Sequence, residues 1–244
     1  MTPLALPNPW GGSCWFVETA GSTMSLALEL EARGEPSGTL VQAGEQTEGM
    51  GRHVGRRWES PRGSSLAFTV FWRSEALRPH PLAISLRLGL GVCRWLESLP
   101  WAVGPSVSLK WPNDLYLNGR KVGGILVRRR LPFETGSVHA GLGINLGQRE
   151  FKGDYRHTPT SLAAEGLALE SGKALEGLLP LLAQSLEEVQ AREACEKRLW
   201  KLGDCLEVVA PGGNPVKGQV VGLTQEGKLI LETPSGQLEL SSGE

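Results

Sequence analysis

The segment Lys110–Leu126, with the sequence KWPNDLYLNGRKVGGIL, constrains the fold of this chain more than any other. Its Asn118-Gly119 pair lies between two short β-rich runs, and Asn-Gly favours the backbone of a two-residue hairpin turn. Further strands are predicted on either side of this hairpin, at Val107–Trp111 and Ser137–Leu146. The sequence therefore predicts an antiparallel sheet in the middle of the chain.

Three other segments have the pattern of helices. Apolar residues recur at helical spacing in Met24–Arg33 and in Pro79–Leu99. Ala174–Leu202 is a longer helical pattern with glutamates on its polar face, and it predicts a helix that Pro180 interrupts. Helices combined with a block of strands predict an α/β (α+β) protein.

Two more strands are predicted ahead of this block. Thr39–Ala43 is a short apolar run, and Ser64–Trp72 is apolar almost throughout, as strands buried on both faces are. The segment between them, Glu45–Arg57, is rich in glycine and arginine. We expect this segment to be a loop.

The composition of the chain changes after Gly203. Short strands between glycine turns are predicted there, at Leu206–Val209, Gly218–Leu223, Lys228–Glu232 and Gln237–Leu240. This spacing indicates a small β-barrel attached to an α/β body. We therefore expect a first domain over residues 1–201 and a barrel domain over residues 202–244.

Composition and charge exclude several classes of protein. The chain has 25 lysines and arginines against 26 aspartates and glutamates, a net charge of -1, so no global field draws it to nucleic acid. No apolar run approaches the ~20 residues of a membrane span, and the N-terminus lacks the features of a secretory signal. The cysteines and histidines are scattered without CxxC or HExxH spacing, which predicts reduced thiols and no protein-held transition metal. We expect a cytoplasmic protein that binds neither nucleic acid nor membranes.

The segment Gly49–Arg57 combines glycines with Arg52, Arg56 and Arg57. Glycine lets backbone N–H groups surround an anion, and a guanidinium binds phosphate or carboxylate through two parallel hydrogen bonds. Taken alone, the segment fits either an anion site or a solvated loop with ordinary surface arginines. Its GMGRHVG pattern, like GLGINLG at 141–147, lacks the spacing and the following helix of a dinucleotide fingerprint, which excludes a Rossmann site.

Lys110 and Lys121 flank the predicted hairpin. Most lysines are solvated at the surface. Lys110, however, follows an apolar strand and precedes Trp-Pro-Asn-Asp, which is not the composition of an exposed edge. Asn113, Asp114 and Asn145 lie where a turn would use the same residue types, so on their own they fit either a turn or a site.

Together, these segments resemble the biotin–protein ligase family. KWPNDLYLNGRKVGGIL matches its most characteristic stretch, and GxGR followed by GRxWxSPxGxxL over 49–66 matches its nucleotide and biotin loop. GLGIN at 141–145 and Thr-Ser-Leu at 160–162 fit two later elements. The resemblance implies a mixed β-sheet flanked by helices, as in class II synthetases, and a small C-terminal SH3-like β-barrel.

The resemblance also implies a two-step reaction. The biotin carboxylate attacks the α-phosphate of Mg-ATP, which gives biotinyl-5′-adenylate and pyrophosphate, and the biotinyl group then passes to a lysine of a biotin carboxyl carrier protein. Both reactants of the first step are anions, so cations must offset their repulsion. Lys121, Arg52 and Lys110 are the catalytic candidates. The implied ligands are ATP, Mg²⁺ and biotin; the implied partner is the carrier protein, and a homodimer is open because relatives pair through their sheets.

Motif positions imply two sets of binding residues. Those expected to bind biotin are Ser22, Thr23, Gln46, Gly49, Met50, Gly51, Arg52, Lys121 and Gly124. Those expected to bind ATP and its Mg²⁺ are Arg52, Trp58, Lys110, Asn113, Asp114 and Asn145.

The chain departs from the family pattern at several positions. Met24 stands where Asn commonly follows Ser-Thr, and Met50 replaces the first arginine of the loop. Arg128 stands where an acidic residue is frequent, and the loop has one extra residue around His53-Val54. The hydrogen bond that an Asn would make is therefore missing or replaced, while both lysines are kept.

Three alternatives follow from the same resemblance. Many relatives begin with a winged helix-turn-helix repressor domain, but this chain reaches Ser22-Thr23 within its first two dozen residues, so we expect a ligase without that module. A lipoate–protein ligase shares the adenylate chemistry, but its Arg-Arg-x-(Ser/Gly)-Gly-Gly-x-Val-x-His segment has no counterpart here. A non-catalytic module that binds biotin or the carrier is opposed by the intact lysines and favoured by Met24 and Met50.

Overall fold

The structure, a computed structural model, describes residues 1–52, 57–73, 81–130, 136–151, 155–209, 213 and 215–243. Its strands are β1 (Thr2–Pro3), β2 (Cys14–Ala20), β3 (Leu40–Met50), β4 (Arg57–Ser60), β5 (Ser65–Arg73), β6 (Val107–Lys110), β7 (Asp114–Leu117), β8 (Arg120–Arg130), β9 (Ser137–Asn145), β10 (Cys205–Val209), β11 (Pro215–Leu223), β12 (Leu229–Thr233) and β13 (Gly236–Leu240). Its helices are α1 (Thr23–Ala32), α2 (Pro81–Ser98), α3 (Ser171–Glu187) and α4 (Ala191–Glu196).

The strands form two sheets. The larger one has the order β1-β2-β3-β5-β9-β8-β7-β6, and β4 pairs with β3 beside this path. In it β2 and β3 run parallel, whereas the neighbours from β3 to β6 run antiparallel. The smaller sheet, β10-β11-β12-β13, is antiparallel. The expected fold class, a mixed sheet flanked by helices with a small second β unit, is confirmed.

The predicted hairpin is present between β7 and β8. Asn118 and Gly119 both have positive φ, 50° and 73°, as a two-residue type I′ turn requires. The turn sets the register that pairs Tyr116 with Lys121, and an irregularity between Leu115 and Tyr116 shifts the register by one residue, so that Asp114 pairs with Gly124. The side chain of Lys121 reaches Asp114, which lies two residues along β7 from its strand partner Tyr116.

Strand β5 lies at the centre of the larger sheet and is buried from Ser65 to Trp72. Both of its faces are covered, since successive side chains point to opposite sides of a sheet. Phe68 belongs to the main apolar core shared with α2 and α3, and Phe71 packs with Ala27 and Leu30 of α1 on the other face. This double burial explains the almost continuous apolar sequence that predicted the strand.

The expected loop over Glu45–Arg57 is wrong at both ends. Strand β3 continues to Met50, and β4 begins at Arg57. The extension pairs with β2 through Ala20 and Gln46 and with β4 through Gly49 and Trp58. Backbone pairing on both sides therefore outweighs the low strand propensity of this glycine-containing stretch.

Helix α3 corrects a second expectation. Pro180 lies inside the helix and does not interrupt it. Proline removes the hydrogen bond to the carbonyl four residues earlier, which belongs to Glu176. Pro180 and Glu176 are both exposed, so that carbonyl can be hydrated. The break in the predicted helix comes instead after Glu187.

Hydrogen bonds join the unit that contains the smaller sheet to the residue that follows β6 and to helix α4. Trp111 Nε1 donates a hydrogen bond to the Gly227 carbonyl at 2.9 Å, and Leu223 N–H donates to Glu196 Oε1 at 2.8 Å. The boundary at residue 202 stays a prediction. Within the described ranges, no helix combines the length and the apolar character that crossing a membrane needs.

Candidate functional site

One wall of a cavity in the larger sheet is formed by residues that pair with one another across β7, β8 and β9. Asp114 on β7 pairs with Gly124 on β8, which pairs with Gly143 on β9. A cavity of about 290 Å³ is lined by these residues, by the start of α1 and by the segment after β9. Every expected site residue except Gly49 lines it. The structure therefore brings together residues that are up to about half the chain apart.

The start of α1 and β3 supply the first polar group of the cavity. Ser22 caps α1, since its Oγ accepts a hydrogen bond from Met24 N–H at 3.2 Å. Thr23 donates both its backbone N–H and its hydroxyl to Gln46 Oε1, at 2.8 and 3.0 Å. Because Oε1 accepts both bonds, the amide of Gln46 has one orientation, and its Nε2 is the atom left to donate to a ligand.

Thr69 on β5 adds a further hydrogen bond to the group formed by Ser22, Thr23 and Gln46. Its Oγ1 lies 2.9 Å from Thr23 Oγ1, and Thr69 is fully buried. The Thr23 proton goes to Gln46 Oε1, which can only accept, so Thr69 must be the donor to Thr23. Thr23 Oγ1 thus keeps acceptor capacity while Gln46 offers donors. We call Ser22, Thr23, Gln46 and Thr69 the amide wall.

Glycines in the expected motifs make room for bulky neighbours. A Cβ at Gly143 would lie 2.6 Å from the ring of Trp58, and one at Gly49 would lie 2.3 Å from the Trp58 carbonyl oxygen. A Cβ at Gly141 would lie 3.2 Å from Met24 Cε. The glycines therefore permit close packing of these side chains. Gly49 lies behind Trp58 and does not line the cavity.

The second polar group is charged, and we call Lys110, Lys121, Asp114 and His157 the lysine cluster. Lys121 Nζ lies 2.6 Å from Asp114 Oδ1, with both side chains largely shielded from solvent. Lys110 Nζ lies 3.0 Å from His157 Nε2 and 5.7 Å from the ring centroid of Trp200. Two cations are thus held at one cavity by three different kinds of partner.

Burial is the main cause of the pKa shifts of Lys110 and His157. It lowers the pKa of Lys110 below the ordinary lysine value, and the charge of Asp114 opposes this shift. Burial, followed by the charge of Lys110, lowers the pKa of His157 to about 4. His157 is therefore neutral at neutral pH.

Arg52 carries a third cation into the cavity. Burial lowers the pKa of its guanidinium, and Asp114 again acts in the opposite direction. Arg56, His53 and Val54 lie outside the described residues, so the expected role of Arg56 and the extra loop residue are not placed by the structure.

Two asparagines line the same cavity as Asp114. Asn113 Nδ2 donates to the Ile125 carbonyl and Asn145 Nδ2 donates to the Thr160 carbonyl, each at 2.9 Å. Both amide nitrogens are thus used by the backbone, and the Oδ1 atoms keep acceptor capacity. Carboxylate and amide oxygens are the ligands that Mg²⁺ prefers, so this donor set fits that ion. In the part of the chain that the structure describes, no three His, Cys, Asp or Glu residues group as a metal site.

Comparison with known proteins agrees with this geometry. Residues 17–146 match the Biotin/lipoate A/B protein ligase family, and residues 207–244 match the Biotin protein ligase C terminal domain. The chain belongs to the biotin/lipoate A/B protein ligase family. It is 31% identical over 243 residues to the biotin--[acetyl-CoA-carboxylase] ligase of Paracoccus denitrificans, which covers 91% of this chain and 95% of that protein.

Two further relatives extend the match along the chain. The bifunctional ligase/repressor BirA of Bacillus subtilis is 30% identical over 241 residues, or 94% of this chain and 72% of BirA. The biotin protein ligase from Aquifex aeolicus, solved in complex with biotin and ATP, superposes with a TM-score of 0.78 at 28% identity and covers 95% of this chain and 96% of its own. The resemblance inferred from the motifs is confirmed.

Three departures from the pattern of this ligase family, Met24, Met50 and Arg128, lie in the described residues. Met24 is buried, lines the cavity and offers no N–H or O–H donor where an asparagine would. Met50 Sδ lies 3.6 Å from Arg128 Nη2. Two positions at which the chain departs from the family pattern therefore contact each other.

Sequence reasoning missed several residues that line the cavity of this family member. They include Thr69, Trp111, Gln148, Phe151, Tyr155, Arg156, His157 and Gly243. Thr69 had one signal, as the polar residue inside the apolar run of β5. His157 had none, because the segment after Asn145 carries no motif apart from residues 160–162.

Proposed function

We propose that this protein is an ATP-dependent biotin–protein ligase, which activates biotin as biotinyl-5′-adenylate and transfers the biotinyl group to a lysine of a biotin carboxyl carrier protein. The observation that carries the proposal is the cavity, in which the neutral amide wall and the cations of the lysine cluster face one volume of about 290 Å³. Membership of the family supports the proposal, as do the biotin and ATP of the Aquifex aeolicus complex.

The amide wall suits the ureido group of biotin. A urea has one carbonyl that accepts and two N–H groups that donate, and it needs the complementary atoms in its site. Gln46 Nε2 supplies a donor, and Thr23 Oγ1 supplies an acceptor whose proton is already used. Ser22 adds a hydroxyl at the start of α1. These three residues are proposed to bind the ring system, with Gly51, Met50 and Gly124 beside it.

The cations serve the first step. The biotin carboxylate oxygen forms a bond to the α-phosphorus as the bond to the bridging oxygen of pyrophosphate breaks. Lys121 is proposed to hold the carboxylate and then the acyl-phosphate oxygens, while Arg52 holds the α-phosphate. Positioned charges in a water-poor cavity stabilise the developing charge strongly, because they need no reorganisation. Lys110 and Trp58 are proposed to contact the nucleotide.

Asp114, Asn113 and Asn145 are proposed to hold the Mg²⁺ that arrives with ATP. When bound, this ion neutralises phosphate charge. Asp114 offers carboxylate oxygens, and the two asparagines offer Oδ1 atoms while their amide nitrogens donate to backbone carbonyls. Asp114 also orients Lys121 through their ion pair.

The second step consumes the adenylate. The neutral amine of the carrier lysine attacks the carbonyl carbon of the mixed anhydride, an amide bond forms, AMP leaves with the bonding electron pair, and the amine proton is released to solvent. The names of the Paracoccus denitrificans and Mycobacterium tuberculosis relatives support a carrier that belongs to acetyl-CoA carboxylase. The near-zero net charge supports an enzyme that binds neither nucleic acid nor acidic membrane surfaces.

One assay tests the proposal. Purified protein is incubated with ATP, an isolated carrier domain and either biotin or lipoate, and the carrier is weighed by mass spectrometry. We expect one biotinyl group on the carrier and no lipoyl group. Lipoylation would assign the chain to the lipoate branch of the family, and an unmodified carrier together with biotin binding would make it a non-catalytic module. Either result overturns the proposal.

A further inference from the structure

The two lysines of the lysine cluster are held by partners of different charge. Lys121 Nζ lies 2.6 Å from a carboxylate oxygen of Asp114. Lys110 Nζ lies 3.0 Å from His157 Nε2, a contact between residues 47 positions apart. An ammonium has three donors and no acceptor, so His157 Nε2 must accept the bond through its lone pair. The ring is then neutral and carries its proton on Nδ1.

The two pairs differ in their net charge. The pair of Lys121 with Asp114 sums to zero, whereas the pair of Lys110 with His157 keeps a full positive charge. A second neighbour of the Lys110 ammonium is also neutral, because Trp200 faces it with an aromatic ring at 5.7 Å. The charged groups that also act on Lys110 are Asp114, which is paired with Lys121, and the cations Lys121 and Arg156. Lys110 is thus held in place by an imidazole and an indole, and neither cancels its charge.

We propose that His157 is a positioning residue for the phosphates of ATP: it holds the Lys110 ammonium at the cavity without neutralising it. The inference rests on the proposed function, since ATP is the anion that the retained charge would meet. Lys110 and His157 both line the cavity, so the contact is made where that anion would bind.

The protonation of His157 agrees with this role. Its pKa is lowered to about 4, mainly by burial and next by the charge of Lys110, so the ring stays neutral across the physiological range. A carboxylate at the same position would hold Lys110 equally well in geometry, but it would cancel the charge. The charge at position 157 is therefore the property that a test must change.

The test compares two substitutions of nearly equal shape. In His157→Gln the amide Oε1 can take the place of Nε2 as a neutral acceptor, while in His157→Glu the same atom carries a negative charge. The dissociation constant of MgATP is measured by calorimetry, and kcat/KM for ATP by biotin-dependent ATP–pyrophosphate exchange. We expect the Gln variant to stay within about threefold of the parent and the Glu variant to lose on the order of tenfold or more in both quantities, the size of one charge-assisted hydrogen bond. Biotin affinity should be unchanged in both variants, because the proposed contacts to biotin are made by the amide wall and Lys121 and not by His157.

A second pair of variants separates positioning from a structural role. In a Lys110→Met background there is no ammonium to hold, so the difference between the Gln and Glu substitutions should shrink to the direct repulsion between the Glu carboxylate and the phosphates. Equal effects of Gln and Glu in the parent background would overturn the proposal, as would a difference that keeps its full size without Lys110. Binding of MgATP can be measured without turnover. A parent protein that binds MgATP but makes no biotinyl-adenylate would therefore overturn the proposed function and still leave this comparison readable.

Discussion

The amide wall and the lysine cluster line the same cavity but are organised by different forces. In the amide wall, every described contact is a neutral hydrogen bond. The donors run from the buried hydroxyl of Thr69 through Thr23 to Gln46, because Gln46 Oε1 can only accept. In the lysine cluster, the contacts involve cations, and burial shifts the pKa values of Lys110 and His157.

This contrast shows how one cavity can combine recognition by neutral hydrogen bonds with stabilisation of charge. Neutral hydrogen bonds discriminate by the positions of donors and acceptors, because a buried polar atom without a partner is costly. Charges act over longer distances and stabilise a transition state, but each must be held against desolvation. The following predictions test whether the two groups can be perturbed separately.

The largest effect is expected for Lys121→Ala. Removal of this cation should lower the rate of biotinyl-adenylate formation by on the order of 10²–10³, because it acts on charge that develops in the transition state. The measurement is biotin-dependent ATP–pyrophosphate exchange. Lys228→Ala, which breaks the exposed ion pair with Glu239, is the matched control and should leave the rate unchanged.

The same variant leaves Asp114 without its partner in a largely buried position. Thermal unfolding therefore has to accompany the kinetics, and Lys121→Ala combined with Asp114→Asn should restore part of the lost stability but none of the rate. Full exchange activity in a folded Lys121→Ala protein would remove this lysine from the reaction.

The next prediction concerns packing, and it should affect the amide wall and the lysine cluster alike. In Gly143→Ala the new Cβ would lie 2.6 Å from the Trp58 ring, so the indole has to move. Overpacking of this kind costs about 1–3 kcal/mol, and both biotin and ATP affinities should fall together. Gly104→Ala is the control, since a Cβ there meets nothing within 4 Å. Loss of only one affinity would show that Trp58 serves one ligand alone.

A smaller effect should be confined to the amide wall. Thr69→Val keeps the shape of the side chain and removes the donor to Thr23 Oγ1, at a net cost of about 1 kcal/mol. Biotin affinity should fall about fivefold, while the affinity for ATP stays at the parent value. Calorimetry measures both.

Two further variants define this result. Thr69→Ser keeps the hydroxyl and should bind biotin like the parent. Thr39→Val removes a buried hydroxyl that accepts from Ser13 N–H outside the cavity, so it should change stability without changing biotin affinity. Unaltered biotin binding in Thr69→Val would mean that Thr23 and Gln46 keep their orientation without Thr69.

The smallest expected effect is a shift in the titration of His157. Its pKa lies at about 4, below the ordinary value of 6.5, so the unfolded chain takes up a proton more readily than the folded protein. The contribution of this group to stability is thus complete above the ordinary value and is lost as the pH falls towards 4. In Lys110→Met the pKa should rise but stay below the ordinary value, because burial is the larger cause. Titration of the ring by NMR tests this, and an unchanged pKa would show that Lys110 does not act on the imidazole.

Some residues of the cavity can be predicted from local sequence, and others cannot. Lys110, Asp114 and Lys121 lie within one short motif, and the Asn118-Gly119 turn is enough to bring the strands that carry them together. Thr69 and His157 reach the same cavity from other segments, through contacts that span 46 and 47 residues. Their contributions depend on sheet register and on the path of the chain after β9, and no local pattern encodes either.

Features that depend on local backbone preference and periodicity follow directly from the sequence. The hairpin turn follows from residues that tolerate positive φ, and the burial of β5 follows from its continuous apolar run. Three other features depend on tertiary contacts: β3 extends to Met50, Pro180 lies inside α3, and His157 contacts Lys110. The physical reason is that each of these depends on its surroundings, a paired strand, a hydrated helix face or a side chain from a distant segment, and these come together only when the chain has folded.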